Sequence, residues 1–179
     1  MKATGIVRKI DDLGRVVIPK ELRRTLRIRD GDPLEIFTEK DGEVIFKKYS
    51  PMGELGEYAA GMCETLGKSA GVPCVITDRD SVIAVQGAAR RELMGKALSE
   101  DCEKLISSRK SYVRGAKDKR VAIVDGAERY SVNALSPILS EGDILGAVAF
   151  ITDSESAPQE FEGKLAATVA GFLGKQLES

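Results

Sequence analysis

The chain has 179 residues, 42% of them hydrophobic and 31% charged, with a formal net charge of -1. That composition is globular, excludes a disordered chain and allows one ordinary domain or two small ones. Histidine is absent, which excludes Ser-His-Asp and Cys-His catalysis and removes the commonest transition-metal ligand.

Apolar runs long enough to span a bilayer are missing, and Met1-Lys2-Ala3-Thr4-Gly5 leads directly into a β-branched stretch. No signal peptide or membrane span is expected, and the protein is expected in the cytosol. Ile6 to Ile10 and Val16 to Ile18 flank Asp11-Asp12-Leu13-Gly14 and predict strand, turn, strand. Pro19 sits where a first helical turn begins, since its missing N–H costs nothing there. Leu22 and Leu26 fall four apart on that helix, so Lys20, Arg23, Arg24 and Arg27 are expected to point away from its apolar face.

Residues 1–29 carry nine Lys or Arg against three acids. The positive charge is thus concentrated in a nearly neutral chain, the electrostatic footprint of a nucleic-acid face. The competing reading is a set of solubilising surface arginines, but the bases do not alternate with acids as helix-lacing pairs do. Arginine also outnumbers lysine, and its fork suits phosphate and guanine edges. Glu21 either orients Lys20 or Arg24 or is a solvated helix acid.

Arg29 to Pro33 is a turn cluster, Leu34 to Phe37 a third strand, Lys40-Asp41-Gly42-Glu43 a hairpin turn and Val44 to Tyr49 a fourth strand. Four strands and one short helix cannot bury Ile6, Ile10, Val16, Ile18, Leu34, Ile36, Val44 and Phe46 alone, so obligate dimerisation is expected. Two-fold symmetry then places Arg8, Lys9, Arg15, Arg23 and Arg24 twice on one surface, roughly ten positive groups whose binding to DNA would weaken with salt.

Ser50-Pro51-Met52-Gly53 is expected to break the pattern and separate a domain of residues 1–52, net +3, from one of residues 53–179, net -4. A helix is predicted from about Glu54 to Ser69, with Leu55, Ala59, Met62, Cys63 and Leu66 on one stripe. Strands follow at Val72 to Thr77 and Ser81 to Val85, then short helices at Arg90 to Met94 and Ser99 to Ser107 with Cys102, Leu105 and Ile106 inward. Val121 to Val124, Val132 to Leu139 and Ile144 to Thr152 are predicted strands, the last two joined by Ser140-Glu141-Gly142-Asp143. A closing helix is predicted from about Pro158 to Leu177, with Phe161, Leu165, Val169, Phe172, Leu173 and Leu177 on one side. The second domain is therefore α/β, an antiparallel sheet with helices packed on it.

The run from Gly5 to Arg24 closely resembles the DNA-binding segment of the AbrB transition-state regulator family, and the second domain resembles a GAF domain. The two-domain layout is similar to that of the sporulation regulators within that family. The resemblance implies an N-terminal swapped-hairpin β-barrel made by strands interleaved from two chains, followed by an α/β GAF-like domain. It implies double-stranded DNA as partner, with Arg8, Arg15, Arg23 and Arg24 as main contacts and Lys9 and Lys20 beside them. It further implies a dimer through the N-terminal domain and a tetramer through the second. The function implied is that of a sequence-preferring transcriptional activator and repressor, not an enzyme, acting late in sporulation in the forespore and associated with the nucleoid. No cofactor or metal is expected. An antitoxin-like module, binding DNA and a partner protein, is the rival; the long patterned second domain counts against it.

A GAF-like pocket is expected between the central sheet and the loops around residues 86–120, where Arg90, Arg91, Arg109, Tyr112 and Arg114 either face a small, unidentified anionic ligand or are solvated. The three cysteines, Cys63, Cys74 and Cys102, form no Cys-x-x-Cys or zinc pattern. Some GAF-fold proteins are thiol-dependent methionine sulfoxide reductases, so Cys102 at a helix start is the candidate for a lowered pKa. The alternative makes all three small buried hydrophobes.

Overall fold

A computed structural model describes residues 4–54 and 56–178. The chain divides into two units, one ending at Tyr49 and one beginning at Ser50.

In the first unit Pro19 precedes helix α1 (Lys20–Thr25), and its carbonyl accepts the Arg23 N–H at 3.0 Å. The helix closes on Arg27, whose φ of 53° is left-handed. The Ile28 N–H reaches the Arg23 carbonyl at 2.7 Å and the Arg27 N–H the Arg24 carbonyl at 3.2 Å. Those two bonds make a Schellman stop, with arginine where glycine is usual. Strands β1 (Leu34–Thr38) and β2 (Val44–Lys48) form an antiparallel hairpin with Ile36 opposite Phe46. Gly42 at φ 81° turns it, its N–H bonded to the Glu39 carbonyl at 3.2 Å. Lys48 ties the hairpin to the helix exit, with Nζ donating to the Arg27 carbonyl at 2.9 Å and pairing with Asp32 at 3.2 Å.

The strands expected at Ile6–Ile10 and Val16–Ile18 are absent as ladders. Around the turn at Asp12–Gly14, the backbone is tied by Asp11 N–H to the Arg15 carbonyl and Gly14 N–H to the Asp11 carbonyl, both at 3.0 Å. Beyond that neither run forms a strand with any of the described residues, because these runs find no neighbouring strand edge there. Their apolar side chains stay out in solvent, Val7 at 86% exposure, Ile10 at 70% and Val17 at 71%. Ile36, Val44 and Phe46 of the hairpin are exposed too.

The second unit starts with helix α2 (Pro51–Glu54), so the expected breaker Ser50–Gly53 is helical from Pro51 onward. Proline is well tolerated at a first helical position, and Met52 is fully buried in this unit's core. Helix α3 (Gly56–Ala70) buries Ala59, Cys63, Leu66 and Gly67; the predicted stripe residue Leu55 lies outside the described residues. Then come β3 (Cys74–Asp78), β4 (Val82–Gln86), α4 (Arg90–Leu93), α5 (Glu100–Ser107), β5 (Tyr112–Val113), β6 (Ser131–Ser140), β7 (Asp143–Thr152) and α6 (Glu160–Gln176).

The five strands lie in the order β4-β3-β7-β6-β5, every pair antiparallel. Alternate residues point to opposite faces. Cys74, Ile76, Ala134, Ile138, Val148 and Phe150 pack with α3 and α6, while Val75, Val132, Leu135, Ala149 and Ile151 pack with α4, α5 and residues 121–130. The β6–β7 hairpin turns through Glu141 at φ 48° and Gly142 at φ 88°, the paired positive angles of the turn that matches strand twist.

One expectation fails here and a second holds in part. Val121–Val124 is no strand: it contributes only isolated bridges, Leu98 to Val124 and Ala122 to Ser131, and the fifth strand is the short β5, drawn from a polar basic stretch. Helix α6 buries Glu162, Ala166, Ala170, Leu173 and Gly174; of the expected stripe Leu173 is fully buried, Leu165, Val169 and Leu177 are half-buried against the same core, and Phe172 stays 40% exposed. The cause is close approach: a Cβ on Gly174 would lie 2.1 Å from the Leu139 carbonyl oxygen.

Candidate nucleic-acid interface

The basic side chains of the first unit stand on two local structures. The first is the Asp11–Arg15 turn. Asp11 Oδ1 accepts the backbone N–H of Leu13 at 3.1 Å and of Arg15 at 2.7 Å, while Oδ2 accepts the Arg15 Nε at 2.8 Å. These bonds, the Arg15 backbone N–H foremost, hold the Asp11 carboxyl below its usual range. Arg15 keeps 70% of its side chain in solvent. Arg8 and Lys9 are exposed on the incoming run, and Arg8 donates to the adjacent Val7 carbonyl at 3.3 Å.

The second structure is α1. Lys20 and Arg24, four apart on the helix, are both exposed. Arg23 departs from the expectation that it points away with them. It is half-buried, its Nη1 bonds and pairs with Asp30, and its Nε is buried without a hydrogen-bond partner. Arg27 is half-buried as well. Glu21 is exposed and forms no ion pair with Lys20 or Arg24 among the described residues, which leaves it the solvated acid. Sequence reasoning missed Asp11 and Asp30 as anchors. Asp11 carried a usable signal, an aspartate opening an Asp-Asp-Leu-Gly turn; Asp30 carried none.

In the second unit the five side chains proposed for an anionic ligand do not converge. Arg90 and Arg91 on α4 and Arg109 after α5 are exposed. Tyr112 and Arg114 lie near enough for the guanidinium charge to act on the phenol, and Asp118 Oδ2 accepts the Gly115 N–H at 2.8 Å and the Tyr112 hydroxyl at 3.4 Å. Arg114 is buried and lines a cleft of about 270 Å³ with Gly115, Asp118, Arg120, Glu155 and Pro158.

The thiols behave as interior groups. Burial, with Glu103 second, pushes the Cys102 thiol up to about 12, which favours the reading as a small buried hydrophobe over that of a thiol with a lowered pKa. Helix position does not help it, because Ser99 Oγ already accepts the Cys102 N–H at 3.1 Å. Cys63 and Cys74 are buried with sulfurs 3.7 Å apart, and the hydrogen bond between them, with burial, raises the Cys74 pKa. Among the described residues there is no acid, cysteine or histidine cluster that could hold a metal, and no helix is long and apolar enough to cross a membrane.

Residues 54–178 match the family described as stage V sporulation protein T C-terminal, transcription factor. The chain is 49% identical over 179 residues to stage V sporulation protein T of Bacillus subtilis (strain 168), covering 99% of both chains. This chain belongs to the stage V sporulation protein T family. Residues 7–53 match the bacterial antitoxin family described as antidote-toxin recognition MazE. Over 51 residues the chain is 65% identical to the transition state regulatory protein AbrB of the same organism, covering 28% of this chain and 52% of that one. The N-terminal unit is thus AbrB-like. Among solved structures, the GAF domain of an Acinetobacter phosphoenolpyruvate-protein phosphotransferase superposes with a TM-score of 0.57 at 15% identity, covering 73% of this chain and 84% of that one. The second unit has the GAF fold, with an antiparallel sheet.

Proposed function

We propose that this chain is a sequence-preferring DNA-binding regulator that activates some late sporulation genes and represses others, acting in the forespore cytoplasm on the nucleoid. The observation that carries this is the end-to-end 49% identity to stage V sporulation protein T. The local chemistry supports it. Residues 5–19 present basic side chains and solvent-exposed valine and isoleucine on the same extended runs, a surface that is costly in a monomer and useful in an interleaved dimer.

In this reading residues 1–52 form the DNA-binding and dimerisation domain, and residues 53–179 assemble dimers into a tetramer and sense a signal. Arg8, Lys9, Arg15, Lys20, Arg23 and Arg24 contact double-stranded DNA. Arg8, Lys9, Lys20 and Arg24 are free to take phosphate or base edges, whereas Arg15 and Arg23 arrive pre-oriented by Asp11 and Asp30. Such pre-orientation lowers the ordering cost of binding. The antitoxin-like reading has the match over residues 7–53 in its favour, but it leaves residues 54–178, matched to a transcription factor, without a role.

The test is footprinting of the full chain on sporulation promoters at graded salt, with Arg23→Ala and Arg24→Ala beside the wild type. Weaker protection and a shallower salt dependence are expected of both variants. Unchanged protection by both would remove the DNA face from these side chains. Sedimentation of the full chain and of residues 1–52 checks the assembly: a tetramer and a dimer are expected, and a monomer in either case would refute it.

A further inference from the structure

In the second unit the space between the sheet and helices α4 and α5 is packed with Val75, Leu98, Cys102, Ile106 and Ile123. An open cleft lies elsewhere, where the exit of β5 meets the connection from β7 to α6. Its lining combines two cations, Arg114 and Arg120, two acids, Asp118 and Glu155, and the apolar Ala116, Ala157 and Pro158. DNA binding as proposed above uses none of these side chains.

Three of the four charged groups are already engaged. Arg120 donates from Nε to Ser131 Oγ at 3.0 Å, from Nη1 to Glu155 at 2.8 Å and from Nη2 to the Arg129 carbonyl at 2.9 Å. Asp118 Oδ2 accepts the Gly115 N–H and the Tyr112 hydroxyl. Arg114 differs. It is only 9% exposed, yet among the described residues its guanidinium meets one acceptor, the Ser156 carbonyl at Nη2. Its Nε and Nη1 take no hydrogen bond there, and neither atom is sealed from solvent. The buried Glu162 carboxyl feels its charge without a hydrogen bond to it. Nη2 also keeps a second N–H, which with Nη1 or Nε completes a two-pronged fork. A guanidinium so far withdrawn from water with most of its donors unspent calls for an acceptor.

We propose that this cleft binds a short-chain monocarboxylate, its carboxylate on the free donors of Arg114 and its apolar end against Ala116, Ala157 and Pro158. The inference deepens the sensor role proposed for this unit and rests on it. A planar guanidinium fork matches a carboxylate with two parallel hydrogen bonds. Charge sets the valence. Arg120 is paired with Glu155, so the guest meets one open cation, Arg114, beside one carboxylate, Asp118. A single negative charge suits that wall, whereas a dianion would press its second charge on Asp118. The cleft, about 270 Å³, sits just under the usual volume range of ligand sites, which keeps the guest to a few carbons.

The test is isothermal titration of the full chain with acetate, propionate and butyrate, with propionamide as the uncharged match of propionate and inorganic phosphate as the more highly charged probe. At least one monocarboxylate is expected to bind, with propionamide and phosphate roughly tenfold weaker or worse. Arg114→Gln is expected to weaken the carboxylate by a similar factor, while Arg109→Gln, exposed and outside the cleft lining, leaves it unchanged. Should Arg114→Gln fail to fold, amide shifts of the labelled wild-type chain with propionate read the same site, and they should move at residues 114–118 and 155–157. No binding by about 10 mM, propionamide or phosphate binding as well as the carboxylate, an equal loss in Arg109→Gln, or shifts confined to other residues would each overturn the proposal. A bound carboxylate that leaves promoter affinity unchanged supports the site and removes only the sensor role, and promoter footprinting without carboxylate tests the DNA reading separately.

Discussion

Asp11 and Arg15 hold each other across the first turn of the chain: one carboxylate oxygen takes the Arg15 backbone N–H at 2.7 Å and the other its Nε at 2.8 Å. The turn and the aim of the arginine are thereby set by one side chain, and both depend on its charge. The Asp11 carboxyl is held below its usual value in the folded chain, first by the Arg15 backbone N–H and then by the Arg15 side chain. The unfolded chain therefore binds the proton more readily, so the contribution is present above the ordinary aspartate pKa and disappears as pH falls through the folded value. Carbon-detected titration of the labelled chain should show Asp11 titrating below the ordinary aspartate value. An Asp11 midpoint at or above that value would contradict the bonding described.

Arg23 and Arg24 are neighbours on α1 with different duties. Arg24 is exposed, while Arg23 is half-buried against Asp30. Arg24→Ala should reduce the salt slope of DNA binding by about one unit and leave the melting temperature unchanged. Arg23→Ala should reduce the slope and also destabilise the first unit, by about 0.2–1 kcal/mol for a partly exposed ion pair. Asp30→Asn should reproduce the loss of stability without the full loss of binding. Equal melting temperatures for all three variants would show that the Arg23–Asp30 pair has no structural role.

The parts of the fold legible in the sequence are those written in local chemistry. The β6–β7 hairpin is announced by Glu141-Gly142 between two apolar runs, and α5 by Ser99, whose hydroxyl caps the helix. Val121–Val124 misleads because an apolar β-branched run says nothing about whether a strand edge is free to receive it. The buried side of α6 misleads for a different reason. Large residues dominate a periodicity count, yet Ala166, Ala170 and Gly174 are buried alongside Glu162 and Leu173, and at Gly174 the sheet comes too close for a Cβ. At the basic face, charge concentration singles out the basic side chains, but the Arg23–Asp30 pair spans seven positions and depends on the helix stop at Arg27. The cleft at Arg114 joins the exit of β5 to residues 155–158 after β7, and no spacing in the chain encodes it.

Cys102 should be silent as a thiol in the native protein. It is fully buried, and burial raises its pKa to about 12. A folded value above the unfolded one means that this stabilising contribution is complete below about 9 and fades as pH climbs through that value toward 12. Alkylation at pH 8 followed by peptide mass analysis should leave Cys102 unmodified in the native chain and label it fully in denaturant. Rapid native labelling would mean that α5 opens readily, and would reopen thiol chemistry at this position.

Two glycines of α6 offer opposite outcomes for the same substitution. A Cβ at Gly174 would sit 2.1 Å from the Leu139 carbonyl oxygen, a backbone atom that cannot swing aside, whereas a Cβ at Gly171 meets nothing within 4 Å. Gly174→Ala must push the helix off β6 and should cost about 1–3 kcal/mol or more. Gly171→Ala only restricts the unfolded chain and improves helix propensity, so it should stabilise by about 0.5–1 kcal/mol. Thermal unfolding of the two variants separates these signs directly. If Gly174→Ala melted at or above the wild type, α6 would not lie as close to β6 as the structure has it, and the small-residue stripe would lose its explanation.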